Sequence, residues 1–169
     1  GNGSAIKKAS LQNPNLIDYQ QWQTISAGEY VAIQTVGNKL YTVRSNRTIY
    51  EIVNDNLIQL FVYQDLPLDT REVNNNLIIT TIKNVFVYDS DYNLLSSAST
   101  NQEFNTNFSS ATITDEHIYI GTSSFGVLKT LLVNPNDGRA FPVLGMQEHD
   151  RQFFALGLGL VFLRQQLND

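Results

Sequence analysis

From Trp22 onward the chain alternates short apolar segments with breaks rich in Asn, Asp and Gly. The segments are Glu29–Gln34, Lys39–Val43, Thr48–Val53, Asn56–Tyr63, Asn76–Thr81, Val85–Tyr88, His117–Ile120 and Gly126–Val133. They are short and dominated by β-branched and aromatic side chains, and turn residues bound them, which is the pattern of strands and hairpins. No longer window carries an apolar stripe at helical spacing. The residues before Trp22 are polar, with Asn13-Pro14-Asn15 as a turn signal. The pattern therefore predicts an all-β chain behind a polar N-terminal segment, residues 1–20.

The segments repeat. Leu40, Leu77 and Ile118 each open a strand, and Ile49, Phe86 and Val127, nine residues after each, sit at the second strand of a pair. Between them lie turn-forming stretches, Arg44–Arg47, Thr81–Asn84 and Thr122–Phe125. A third strand is expected behind Asn56 and Asn93, seventeen residues after the first two anchors, and Asn134–Gly138 marks the corresponding turn of the third unit. The anchors lie 37 and 41 residues apart, and a weaker copy begins at Leu160, 42 residues further on. A period near 40 residues with about four short antiparallel strands is that of a β-propeller blade. The expected architecture is thus a partial β-propeller over residues 21–169, with three four-stranded units near 29–65, 66–105 and 106–141 and an incomplete fourth over 142–169. A sandwich of evenly spaced hairpins is the competing arrangement. Rings close with four to eight blades, so the chain is expected to be part of a larger propeller or to close with a second chain.

Composition narrows the function classes. Only 16% of residues are charged, against about 25% in an average domain; 18 Asn and 12 Gln replace the missing charge. A net charge of −5 argues against a general nucleic-acid binder, which needs a basic footprint to neutralise phosphates. The longest apolar stretch, Phe153–Leu163, is too short for a membrane-spanning helix and contains two glycines. The absence of cysteine removes disulfides, thiolate metal sites and a cysteine nucleophile. Residue 1 is Gly rather than Met, so any signal peptide is expected upstream of it.

The third unit, Ile118-Tyr-Ile-Gly-Thr-Ser-Ser-Phe-Gly-Val-Leu-Lys129, resembles the blade motif of two-component-regulator-type propellers of bacterial surface proteins. Trp22, Ile25-Ser-Ala-Gly28 and Asn38-Lys-Leu-Tyr41 add a similarity to the N-terminal propeller of the PorZ family of type IX secretion surface proteins. The resemblance covers about residues 16–135, and after Asp137 the sequence departs from it. It implies a protein at the outer face of the outer membrane that carries out no chemistry of its own. It further implies a sortase-like peptidase and outer-membrane proteins as partners, and anionic lipopolysaccharide as a contact. A periplasmic carbohydrate-sensing propeller of a hybrid two-component regulator is the alternative.

The residues themselves point to no enzyme. Asp89-Ser-Asp-Tyr-Asn93 opens like a calcium loop, but Leu94 and Thr100 stand where that motif needs Gly and Glu, so a hairpin turn is expected. His117 and His149 lack a third metal ligand nearby in sequence. There is no G-x-S-x-G elbow, phosphate loop or dinucleotide fingerprint. The carboxylate pairs Asp65/Asp69 and Asp115/Glu116 are expected at solvated strand ends. No catalytic residue, metal site or cofactor is therefore expected. Candidate binding residues are those of the turns, since propellers bind through loops carried on a strand scaffold: Arg44, Asn46 and Arg47, Lys83 and Asn84, and Ser123, Ser124 and Phe125. Arg44, Arg47 and Lys83 fall at corresponding turns, where a cationic rim suits an anionic glycan.

Overall fold

The structure is a computed structural model that describes residues 5–100, 106–132, 146–148 and 151–153. Its strands are β1 (Ala5–Lys8), β2 (Gln23–Ala27), β3 (Tyr30–Val36), β4 (Lys39–Arg44), β5 (Thr48–Val53), β6 (Asn56–Val62), β7 (Pro67–Val73), β8 (Asn76–Thr81), β9 (Asn84–Tyr88), β10 (Leu94–Ser99), β11 (Phe108–Ile113), β12 (His117–Thr122), β13 (Val127–Leu131), β14 (Met146–Glu148) and β15 (Arg151–Phe153). One 3-10 turn, Tyr19–Gln21, precedes β2. The chain is all-β and divides into two compact units at Leu66/Pro67.

The first unit holds a four-stranded antiparallel sheet in the order β3-β4-β5-β6 and a two-stranded ribbon of β1 and β2. Strands follow one another in sequence order, as in a propeller blade and unlike the crossed connections of a sandwich. The turns explain this economy. Val36 pairs with Lys39 across Gly37, whose φ of +58° a side chain would resist. Val53 pairs with Asn56 across Asn54 and Asp55, at φ +49° and +66°. Two successive left-handed residues make the hairpin turn whose twist matches the flanking strands, and Asn and Asp tolerate it best. Val36, Tyr41, Val43 and Ile49 are buried, and the ribbon is pinned by buried Ile6 and an ion pair between Lys8 and Asp55.

The second unit repeats the design. Its first sheet runs β7-β8-β9-β10, with Asn74 and Asn75 as the left-handed turn pair, and its second runs β11-β12-β13. The two sheets share one core, Ile78, Val85, Val87, Ala98, Phe108, Ala111, Ile113, Ile118, Ile120 and Leu128. Alternation accounts for it: on β12 Ile118 and Ile120 are buried while His117 and Tyr119 are half-exposed. The side-chain period of a strand is two, so one face fills the core and the other meets solvent.

One irregularity recurs. The pairing shifts by one residue at the start of the first strand of each of the three larger sheets, between Tyr30 and Ala32, Pro67 and Asp69, and Phe108 and Ser110. The extra residues, Val31, Leu68 and Ser109, are all exposed and stand 37 and 41 residues apart, the spacing of the anchors. A bulge bends its strand and raises the local twist, so the same bend is built into each unit.

Several expectations need adjustment. The β1–β2 ribbon falls partly within the polar N-terminal segment, where no strand is expected. β7 and β11, absent from the apolar segments, supply the first strand of the second and third sheets. Met146–Glu148 and Arg151–Phe153 pair antiparallel, with Glu148 opposite Arg151. The turn at Asn134–Gly138 and the copy starting at Leu160 lie outside the described residues, so the third unit shows three strands.

Candidate functional site

Pairing places the turns between the second and third strands at the end of each sheet where the first strand begins. Arg44 is opposite Tyr30, Thr81 opposite Pro67 and Thr122 opposite Phe108. All eight candidate residues therefore sit at this end of their own sheet.

In the first unit the three polar side chains are turned onto the backbone. The Arg44 guanidinium lies 5.7 Å from the centre of the Tyr30 ring and donates from Nη2 to the Ala27 carbonyl at 3.5 Å. Gly28, at φ +136°, lets it lie there: a Cβ would come within 2.5 Å of Nη2. Asn46 Oδ1 accepts from the Thr48 amide. Arg47, itself left-handed at φ +71°, donates from Nη1 to the Gln64 carbonyl at 2.5 Å, and its own carbonyl accepts from the Tyr63 amide at 2.9 Å. The turn thus clamps the segment that leaves β6.

Lys83 makes the corresponding clamp in the second unit. Its Nζ donates to the Thr106 carbonyl at 3.1 Å and its carbonyl accepts from the Thr100 amide at 2.9 Å, holding the segment that leaves β10. The Thr81 hydroxyl accepts from the Lys83 and Asn84 amides, and Asn84 Oδ1 accepts from Ser99 Oγ at 2.7 Å. Across the next turn, Thr122 Oγ1 accepts from the Phe125 amide at 2.9 Å, so Thr81 and Thr122, 41 residues apart, play one role. Ser123 Oγ lies 3.4 Å from Thr106 Oγ1 and 3.3 Å from Ser124 Oγ, and accepts from the Asn107 amide. Lys83, Ser123 and Ser124 are therefore linked through Thr106 into one polar strip, while Asn84 bonds towards β10. Phe125 stands exposed beside it.

This arrangement offers a hydroxyl-rich strip, a cation and an exposed ring, which is equipment for recognition by hydrogen bonding and stacking. Signals elsewhere resolve into structural roles. Asp89 Oδ1 accepts from the Asp91 and Asn93 amides and Oδ2 from Asn93 Nδ2, the bonds of a turn, and Tyr92, at φ +65°, stacks on Tyr88 at 4.2 Å. Asp69 pairs with Arg71 at 2.5 Å rather than with Asp65. His117 Nδ1 lies 3.8 Å from Glu116 Oε2, and His149 lies outside the described residues. Among the described residues no group of three or more His, Cys, Asp and Glu is placed to hold a metal ion.

Sequence reasoning passed over Arg71 and Thr80. The Arg71 Nε and Thr80 Oγ1 atoms are enclosed without a hydrogen-bond partner, and Thr80 stands directly opposite Asp69. Pairing across β7 and β8 sets Thr80 opposite Asp69 and Arg71 opposite Ile78, and no motif in the sequence marks either residue.

No protein-family model matches this sequence, and no curated protein is significantly similar to it. Several solved structures overlap it in part, among them the following two. One is the BBS1 N-terminal region in complex with ARL6, at 14% identity and a TM-score of 0.49, covering 69% of this chain and 40% of that one. The other is the glutaminyl cyclase of Myxococcus xanthus, at 12% identity and a TM-score of 0.39, covering 69% of this chain and 53% of that one. The chain spans less than two thirds of either. These overlaps are too slight to carry an argument, and the assignment of blade-like meanders rests on the strand pairing of the chain itself.

Proposed function

We propose that this chain is a non-catalytic binding scaffold, part of a propeller whose turns recognise other molecules at a bacterial cell surface or in the periplasm. The observation that carries the reading is the repeated clamp: Arg47 on the Gln64 carbonyl and Lys83 on the Thr106 carbonyl hold corresponding turns in one conformation. Pre-ordered loops bind without the entropy loss of ordering them, so a scaffold that fixes its turns suits recognition. The polar strip of Lys83, Thr106, Ser123 and Ser124 beside Phe125 matches a glycan or a polar protein surface. The finer reading, motivated by the blade motif at Ile118–Lys129, is a component of a secretion and attachment complex. Its partners there are a sortase-like peptidase, outer-membrane proteins and anionic lipopolysaccharide.

The test is affinity capture of the tagged protein from detergent-solubilised outer membranes, followed by mass spectrometry. Recovery of a sortase-like peptidase with outer-membrane proteins, lost on Phe125→Ala with Lys83→Met, is the expected result. Recovery from the inner membrane, joined to a kinase segment and without those partners, refutes it in favour of the carbohydrate sensor.

A further inference from the structure

The face of the second sheet that packs on the third is not wholly apolar. Thr80 is paired with Asp69 and Arg71 with Ile78, and side chains two apart on a strand share a face. Asp69, Arg71 and Thr80 therefore lie on the same side as Ile78, Val85 and Val87. β11 packs against both β7 and β8, and its buried Ala111 and Ile113 belong to one core with Ile78, Val85 and Val87. Thr80 is fully enclosed there, while Asp69 and Arg71 keep part of their side chains in solvent.

Three polar atoms of this group have bonding capacity left over. Thr80 Oγ1 and Arg71 Nε are enclosed without a hydrogen-bond partner. Asp69 Oδ2 is enclosed as well; it lies 2.5 Å from Arg71 Nη2 as an ion pair but accepts no aligned hydrogen bond. The three are neighbours. Residues directly opposite on paired strands have their Cβ atoms about 5 Å apart, which sets Thr80 beside Asp69. The contact through Nη2 holds Nε, on the same rigid guanidinium plane, beside that carboxylate. Enclosed polar atoms without partners are costly and rare, so three in one place point to a common partner. The chemistry of the set selects it. Arg71 Nε and Thr80 Oγ1 offer hydrogens, and Asp69 Oδ2 offers a lone pair. An anion would sit against the Asp69 carboxylate and a cation against the Arg71 guanidinium, so neither sign of charge fits. The partner is neutral, small enough for an enclosed position, and able to accept twice and donate once.

We infer that one ordered water is built into this interface as a bound ligand of Asp69, Arg71 and Thr80. Its oxygen accepts from Arg71 Nε–H and Thr80 Oγ–H, and one of its hydrogens goes to Asp69 Oδ2. Three bonds to otherwise unsatisfied groups is the usual complement of a buried water. The water ties the edge strand β7 to β8 where β11 packs on both, and it does not depend on recognition through the turns. The test is water–protein cross-relaxation in the rotating frame on the isotopically labelled full chain. Cross-peaks from a long-lived water to Arg71 Nε–H and to the Thr80 methyl group are expected, with the sign of dipolar contact rather than of proton exchange. Thr80→Ser keeps the Arg71 cross-peak. Thr80→Val preserves the shape, deletes the hydroxyl and weakens that cross-peak. The two variants also carry a thermodynamic sign. Removing an enclosed hydroxyl that bonds to nothing raises the urea midpoint, whereas removing one bonded to a water lowers it, here by about 0.5 M. A wild-type spectrum without these cross-peaks overturns the inference, and so does a midpoint that Thr80→Val raises or leaves unchanged. The wild-type spectrum decides the matter by itself if the valine variant fails to fold.

Discussion

Ile120→Ala tests the shared core of the second unit. Ile120 is fully buried and stands directly between Ala111 on β11 and Leu128 on β13. Truncation to Cβ removes methyl and methylene groups worth about 0.8 kcal/mol each, so about 2 kcal/mol is lost in transfer alone. Ala111 cannot grow into the space, and Leu128 is held by its own packing, so most of the cavity stays open and adds about 24 cal/mol per Å3. The expected loss is about 3–4 kcal/mol, inside the range of about 2–5 kcal/mol for Ile→Ala in packed cores. The matched control is Ile33→Ala on β3, where the side chain is 55% exposed and a loss of about 1 kcal/mol or less is expected. Urea unfolding followed by tyrosine fluorescence and circular dichroism measures both; with a slope of about 2 kcal/mol per M, the Ile120 midpoint falls by about 1.5–2 M. A loss at Ile120 no larger than that at Ile33 would refute the packing of the third sheet on the second.

Other perturbations have equally definite outcomes. Lys83→Met removes the bond to the Thr106 carbonyl and is expected to cost about 1 kcal/mol, with faster hydrogen exchange at the Phe108 amide, which bonds to the adjacent Ile82 carbonyl. Gly28→Ala is expected to cost about 1–3 kcal/mol, because φ is +136° and a Cβ meets the Arg44 guanidinium; an unchanged unfolding midpoint would contradict it. Asn75→Val places a β-branched residue at φ +63° and is expected to cost about 1–2 kcal/mol, whereas Asn75→Gly is neutral or stabilising. Thermal unfolding of the two variants separates them.

The strands bounded by turn residues were legible in the sequence. Thr48–Val53 and Asn76–Thr81 are strands over those residues, because both are short runs rich in β-branched residues with turn-forming Asn close to their ends. β11 was hidden by its own bulge: Phe108 and Ala111 are buried three residues apart, and the shift at Ser109 destroys the period of two. β7 was hidden by Pro67, Asp69, Arg71 and Glu72, residues that belong on an edge strand, where they discourage pairing with another chain. β1 owes its conformation to pairing with β2 across the loop and leaves almost no local signal. The turns were legible as turns, but what Arg47 and Lys83 hold was not. Their acceptors lie 17 and 23 residues further along and become neighbours only when the last strand of the sheet folds back.

The most direct test of the architecture is a set of backbone NOEs across neighbouring strands, measured on isotopically labelled protein. The account predicts contacts joining β3 to β4, β4 to β5 and β5 to β6, then β7 to β8, β8 to β9 and β9 to β10, then β11 to β12 and β12 to β13. It also predicts a one-residue slip in register at Val31, at Leu68 and at Ser109. Cross-strand contacts that pair these strands out of sequence order, or a continuous register through the three slip positions, would contradict a chain built from successive blade-like meanders.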